Sequence, residues 1–291
     1  MEQIPAILII ISIYAMFAMS LNLDMGHTGL PHLGPVACFG IGAYASALLN
    51  IAGLPVSLSI FTAMGVSALA GTLLALTALS MKGEFFSIIT FAFAETVHLF
   101  FRNEIWLTGG RKGLNGIGRP VWIEEGPLGL PLYLATTILL AALVFLVMRR
   151  IISSPFGRTL HMIRENEQIA RLLGKHTTGF KVQSIVVSSL VAGLAGALWA
   201  HYAGHIEPDD FTVKETILVI LCIVTGGTGT ARGPVLGTFL IVILGETLYH
   251  ILAIFEMTRF VNPIRGMIFG ILLLFFIFRR PGGILKTGTV Q

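Results

Sequence analysis

The chain has 291 residues, of which 55% are hydrophobic and only 12% are charged. Because a soluble domain carries roughly 25% charged residues, this composition excludes an ordinary water-soluble domain. The formal net charge of +4 does not indicate a nucleic-acid partner, since the basic residues cluster between apolar runs, as in the cytoplasmic loops of membrane proteins. The two cysteines, Cys38 and Cys222, each lie in an apolar stretch, so neither a disulfide framework nor a metal site is predicted.

Apolar runs along the chain predict an all-α, polytopic helical bundle in a membrane. A helix needs about 20 apolar residues to cross the hydrocarbon core, so about eight to ten spans, some of them broken, fit the length. We assign these spans to a single transmembrane domain covering residues 1–291. The predicted runs are 4–23, 34–50, 54–79, 85–101, 128–148, 182–203, 215–226, 235–255 and 263–278.

Basic residues predict the orientation of the bundle. Seven Lys or Arg residues lie between Arg149 and Lys181, and the positive-inside rule places this segment in the cytoplasm. If all nine runs cross the membrane, five precede the segment and four follow it. The N-terminus is then outside and the C-terminus is cytoplasmic, although the outer loop 102–127 carries basic residues of its own.

The segment 153–175 predicts a helix outside the membrane. Ser154 followed by Pro155 is typical of a helix start, and Gly174 is typical of a helix end. A single helix between them has one apolar face. Such a helix either lies on the membrane or docks into a groove of another protein, and the pattern leaves both open. The residues of the apolar face are Leu160, Ile163, Ile169, Leu172 and Leu173.

Two stretches rich in Gly and Pro, 26–36 and 226–235, each end in Gly-Pro-Val and open an apolar run. Interrupted segments at corresponding places in two halves point to an internal repeat and a substrate site in transporters. The alternative is two ordinary glycine-rich loops. The first interpretation makes Gly34, Gly226, Gly227 and Gly233 candidate residues of a translocation pathway.

Two carboxylates inside the apolar runs, Glu95 and Glu246, are further pathway candidates. Ionisable residues within a membrane are costly and are functional candidates by default. A structural alternative is that each carboxylate pairs with the histidine at helical spacing, His98 or His250, or with a neighbouring helix. No arrangement of nucleophile and base indicates an enzyme, and no Walker A motif indicates nucleotide binding by this chain.

Several blocks resemble the permeases of branched-chain amino acid ABC importers. The segment from Ser154 to Gly174 is similar to the coupling-helix region of that family. The other similar blocks follow one another along most of the chain, at 21–44, 85–95, 108–114 and 226–237.

The resemblance implies a permease subunit that moves branched-chain amino acids, or related small amino acids or amides, by ATP-driven alternating access in the bacterial inner membrane. The implied partners are a paralogous permease forming a heterodimer, two ATPase subunits that bind ATP and Mg²⁺, and a periplasmic binding protein; this chain needs no cofactor. The family includes urea and short-amide permeases, so the substrate stays open. A rival interpretation is an ion-coupled secondary transporter using Glu95 and Glu246. The implied coupling residues are Pro155, Phe156, Gly157, Arg158, Arg164, Glu165, Glu167, Leu172, Leu173 and Gly174.

Overall fold

The computed structural model describes residues 3–79, 84–119, 129–254, 261–280 and 282–285. A helix is present at each of the nine predicted apolar runs, so the predicted all-α fold is confirmed. Six helices of the described ranges are long and apolar enough to cross a membrane. The helices are α1 (Gln3–Leu21), α2 (Pro35–Ile51), α3 (Val56–Ala78), α4 (Glu84–Asn103), α5 (Ile105–Thr108), α6 (Gly129–Ser153), α7 (Pro155–Glu165), α8 (Glu167–Leu172), α9 (Thr177–Ala203), α10 (Val213–Gly226), α11 (Gly233–Ile254) and α12 (Val261–Arg279).

The centre of the bundle is formed by α1, α2 and α9, whose side chains supply most of the buried core. Glycines let these helices approach closely: a Cβ on Gly196 of α9 would lie 1.9 Å from the carbonyl oxygen of Phe39 on α2. A Cβ on Gly42 would likewise meet the backbone of Gly193 at 2.3 Å. Since lipid tails give no hydrophobic drive between helices, such backbone contact is what packs them.

The described loops gather at two ends of the bundle. At one end, the two-residue strands β1 (Leu114–Asn115) and β2 (His205–Ile206) pair antiparallel. At the other end, which we call the coupling end, Arg164 of α7 lies beside Gly26 and Gly229, and α8 follows α7 along the chain. Leu285 also returns there and donates its amide to the carbonyl of Gly226 at 3.1 Å. The side of the membrane that each end faces stays a prediction, and residues 120–127 of the predicted outer loop lie outside the described residues.

Candidate functional site

The coupling segment starts as the sequence predicts. The hydroxyl of Ser154 accepts a hydrogen bond from the amide of Gly157 at 3.4 Å, and Pro155 takes the first helical position, where it loses no hydrogen bond. Phe156 stacks on Phe180 of α9 with ring centroids 5.5 Å apart. A Cβ on Gly157 would lie 2.1 Å from the carbonyl oxygen of Ile152. Phe156 and Gly157 therefore fasten the start of the segment to the bundle, whereas Pro155 is exposed.

The prediction of one continuous helix is wrong, because the segment breaks at Asn166. Its backbone is extended (φ −158°, ψ 105°), and its side-chain oxygen accepts hydrogen bonds from the amides of Gln168 and Ile169. Asn166 thus ends α7 and caps the start of α8, an arrangement that short polar side chains favour. The apolar residues are divided between two faces by this break.

Those two faces have different environments. Leu160 and Ile163 on α7 are buried against the bundle. In contrast, Ile169 is 51% exposed, Leu172 is 87% exposed and Leu173 is 61% exposed. We call Ile169, Leu172 and Leu173 the apolar patch of the coupling segment. Exposed Arg158 and Glu165 lie on the preceding helix, so the outward surface carries apolar groups with charges nearby. Gly174 closes the segment in a left-handed conformation (φ 76°) that glycine adopts readily.

Glu167 binds within this chain rather than presenting a free charge. Its carboxylate accepts hydrogen bonds from Lys181 and Arg171, both at 2.7 Å, and from Thr177 at 3.0 Å. Burial alone would raise the pKa of Glu167, but these donors outweigh it and hold the pKa below its ordinary value of 4.5. The effect is to tie α8 to the start of α9.

Arg164 connects the coupling segment to both glycine-rich stretches. Its guanidinium donates a hydrogen bond to the carbonyl of Gly26. A Cβ on Gly29 would lie 2.9 Å from the Arg164 side chain, and one on Gly229 would lie 2.7 Å from its guanidinium. Asn22 completes the junction, because its amide donates to the carbonyl of Thr230 and accepts from the amide of Gly229, both at 3.0 Å. The two stretches that the sequence relates by pattern therefore meet around Arg164.

A buried polar network around Asp24 was not found by the sequence analysis. After Leu21 the chain continues as a π-helix, Asn22–His27, which carries the fully buried Asp24. The Asp24 carboxylate accepts hydrogen bonds from Ser184 at 2.7 Å and from Ser188, and His32 Nδ1 lies 3.1 Å from it. Asp24 ends an apolar run, which is the one local signal that points to it.

The two histidines of this region, which the residue pattern alone suggests are solvated, are instead both buried. His27 and His32 are each no more than 3% exposed. Neither Nε2 atom has a hydrogen-bond partner among the described residues. The surrounding helices shield these rings, which a local pattern of charges and glycines does not reveal.

The candidate pathway glycines lie at close backbone contacts. A Cβ on Gly226 would lie 1.8 Å from the carbonyl oxygen of Gly233, where α10 meets α11. A Cβ on Gly34 would lie 2.9 Å from the carbonyl oxygen of Thr90, and a Cβ on Gly227 would lie 2.3 Å from that of Leu285. All four glycines are buried. Packing explains why glycine is needed at each position, and their pathway role stays a prediction.

The carboxylates of the apolar runs are both half-buried. Glu95 has no hydrogen bond to His98, whose Nδ1 instead lies 3.1 Å from the carbonyl of Pro208. Glu246 lies near Tyr202, part of a chain of ring contacts that joins Tyr133, Tyr202 and Trp199. The structural alternative in which Glu95 pairs with its neighbouring histidine is therefore not observed.

A third carboxylate, Glu215, lies in the first turn of α10 and accepts a hydrogen bond from the Tyr14 hydroxyl at 2.7 Å. This contact joins α10 to the middle of α1. Within the ranges that the structure describes, no group of three or more His, Cys, Asp or Glu residues is arranged to hold a metal ion.

The chain is similar in sequence to known transport permeases. The chain is 30% identical to the high-affinity branched-chain amino acid transport system permease protein LivM of Salmonella typhimurium over 94% of this chain and 68% of the relative. The Escherichia coli LivM is 29% identical over the same shares. The autoinducer 2 import system permease protein LsrC of Photorhabdus laumondii is 30% identical over 46% of this chain and 39% of the relative. No solved structure matches the chain.

These relatives are transport permeases and not enzymes. A family model described as the permease component of branched-chain amino acid transport systems matches residues 3–277. That match spans α1 to α11 and most of α12, including the coupling segment and both glycine-rich stretches. The chain therefore belongs to the family of permease components of branched-chain amino acid transport systems.

Proposed function

We propose that this chain is one permease of a bacterial ABC importer that carries branched-chain amino acids across the inner membrane by ATP-driven alternating access. It forms a single transmembrane domain, with its N-terminus outside and its C-terminus in the cytoplasm. A paralogous permease completes a heterodimer, a periplasmic protein delivers the substrate, and two ATPase subunits bind ATP and Mg²⁺. The observation that carries this proposal is the apolar patch of the coupling segment.

The patch supports docking to another protein rather than packing within this chain. Leu172 and Leu173 are exposed although the rest of the segment is anchored, through Phe156 on one side and Glu167 on the other. Apolar side chains held out on a rigid support fit an apolar groove on a partner. In the proposed complex, closure of the ATPase subunits moves this patch.

Arg164 provides the route by which that movement reaches the bundle. Because its guanidinium binds the carbonyl of Gly26 and lies against Gly229, a displacement of α7 acts on both glycine-rich stretches together. Asn22 keeps those two stretches in a fixed relation to each other. Alternating access would then begin as a shift of this junction against α9.

The experiment replaces Leu172 and Leu173 by Asp. Two charges at the patch should prevent the ATPase subunits from co-purifying with the permease, while membrane insertion stays normal, because both side chains are exposed and contribute little to folding. Ile105→Asp is the matched control, since Ile105 is 77% exposed but lies at the opposite end of the bundle. Undiminished leucine uptake by the double variant after it has lost the ATPase subunits would contradict the proposal and favour an ion-coupled transporter using Glu95 and Glu246.

A second experiment tests Glu95 as a pathway residue. Glu95→Gln keeps the shape of the side chain and removes its charge, so a role in binding the substrate ammonium predicts impaired leucine uptake in a normally assembled complex. Glu104→Gln, beyond the end of α4, is the control and should leave uptake unchanged. Failure of the Glu95 variant to assemble would assign the carboxylate to structure instead. Parallel uptake of leucine and urea decides the substrate class.

A further inference from the structure

An apolar groove runs along the surface of the bundle between α6 and α11. Its floor is α1, which contributes the buried side chains of Ile11, Ala15 and Met19. The walls include Ile138 of α6 and Leu236 of α11, both substantially exposed. The groove encloses about 450 Å³, and none of the residues assigned above to coupling or to the pathway lines it.

The lining of the groove does not suit an amino acid. A zwitterionic substrate needs partners for its ammonium and its carboxylate, but among the described residues no Asp or Glu lines the groove. The hydroxyl of the lining residue Ser12 already donates to the carbonyl of Leu8 at 2.8 Å. Such a surface favours an apolar chain.

Two arginine side chains lie at the coupling end of the groove. Arg232 precedes α11 and is one of the lining residues. Arg149 lies four residues after the lining residue Phe145, so it falls on the same face of α6, one turn nearer the coupling end. Both side chains are exposed, and neither forms a hydrogen bond or ion pair with any other residue of the described ranges.

The depth of the groove matches one leaflet of a bilayer. Met19 lies near the coupling end of α1, and Ile11 lies about 12 Å further along the helix. One leaflet contributes roughly 15 Å, half of the hydrocarbon thickness. The groove therefore extends from the level of the two arginines to about the middle of the membrane.

We propose that this groove binds an anionic phospholipid from the leaflet at the coupling end. One acyl chain lies along α1 between α6 and α11, and the phosphate accepts hydrogen bonds from Arg232 and Arg149. Guanidinium groups suit this role because they bind phosphate oxygens through paired, charge-assisted hydrogen bonds. Basic sites between transmembrane helices near the cytoplasmic surface bind lipid headgroups in the same way. A bound lipid would seal a gap that the packing of the helices leaves open.

The test uses the full-length permease in nanodiscs of phosphatidylcholine containing a minor fraction of phosphatidylglycerol, with bound lipid counted by native mass spectrometry. The wild-type chain should retain one phosphatidylglycerol in preference to phosphatidylcholine. Replacing Arg149 and Arg232 together by Gln should weaken that binding roughly 25-fold, since each interfacial cation contributes about fivefold. Arg279→Gln, an exposed arginine at the same end but on α12, is the matched control and should change nothing.

A second variant tests the acyl site. Ala142→Phe places a ring in the groove and should displace the lipid while both arginines remain. Millimolar inorganic phosphate should not compete, because the acyl chain supplies much of the affinity. Equal retention of both lipids, or retention of phosphatidylglycerol by either variant, would overturn the proposal. Efficient crosslinking of the Leu236→Cys variant to a second permease chain in membranes would also overturn it, because the groove would then be a subunit interface.

Discussion

Replacing Asp24 by Ala should destabilise the folded permease strongly, because the side chain holds three buried groups together. Ser184, Ser188 and His32 all direct a polar atom at its carboxylate. Side-chain hydrogen bonds in a membrane protein contribute about 0.6 kcal/mol each on average and up to about 1.7 kcal/mol. The three contacts therefore predict a loss of roughly 2–5 kcal/mol of unfolding free energy. With an unfolding entropy of about 2.1 cal/mol/K per residue, a chain of 291 residues shifts by roughly 1.6 °C per kcal/mol. The melting temperature should therefore fall by roughly 3–8 °C.

The two buried cysteines, Cys38 and Cys222, provide the assay, since a thiol-reactive fluorophore reports unfolding as they become exposed. Asp24→Asn should lose less stability than Asp24→Ala, because the amide oxygen still accepts a hydrogen bond. Asp209→Ala is the control: that side chain is 78% exposed and its described contact is His98 at 3.9 Å, so a change below about 1 °C is expected. A melting temperature of Asp24→Ala within 2 °C of wild type would refute the reasoning.

Three further substitutions test other contacts. Gly196→Ala should lower the free energy of unfolding by about 1–3 kcal/mol or more, because the new Cβ would lie 1.9 Å from the Phe39 carbonyl oxygen. Gly266→Ala is the control, since no atom lies within 4 Å of its Cβ. This variant should melt at the same or a slightly higher temperature in the same thermal assay. Glu167→Gln should lower the free energy of unfolding by up to about 1 kcal/mol at pH 7. Since the folded pKa of Glu167 lies below 4.5, this difference is fully present above pH 4.5 and should shrink as the pH falls through the folded pKa, when melting is compared at several pH values. Asn22→Ala should reduce ATP-driven uptake while ATPase subunits still co-purify; equal loss of both would place Asn22 in assembly rather than in coupling.

The sequence alone determines where the long helices are and where the coupling segment starts. The nine apolar runs each coincide with a helix because the length of an apolar run is a local property that the bilayer requires. Ser154 and Pro155 start α7 where predicted, since capping depends on neighbours along the chain. The similarity of the coupling segment to a permease family was also available from the sequence.

Contacts between distant residues could not be predicted in this way. Ser184 and Ser188 lie 160 and 164 residues from Asp24 along the chain, so nothing local shows that this carboxylate is buried and satisfied. The hydrogen bond from Lys181 to Glu167 could not be predicted either, because it requires α8 to fold back on α9.

The break at Asn166 was decided by the tertiary structure for a related reason. The spacing of the apolar residues fits one continuous helix, but it does not show whether that helix is interrupted. Packing of Leu160 and Ile163 on the bundle, together with the bond from Arg164 to Gly26, fixes α7. The bonds of Glu167 to α9 fix α8 separately. Because the two helices are held separately, the backbone bends between them at Asn166, whose side chain caps α8. Leu172 and Leu173 then lie on a different face from Leu160 and Ile163, and they stay exposed.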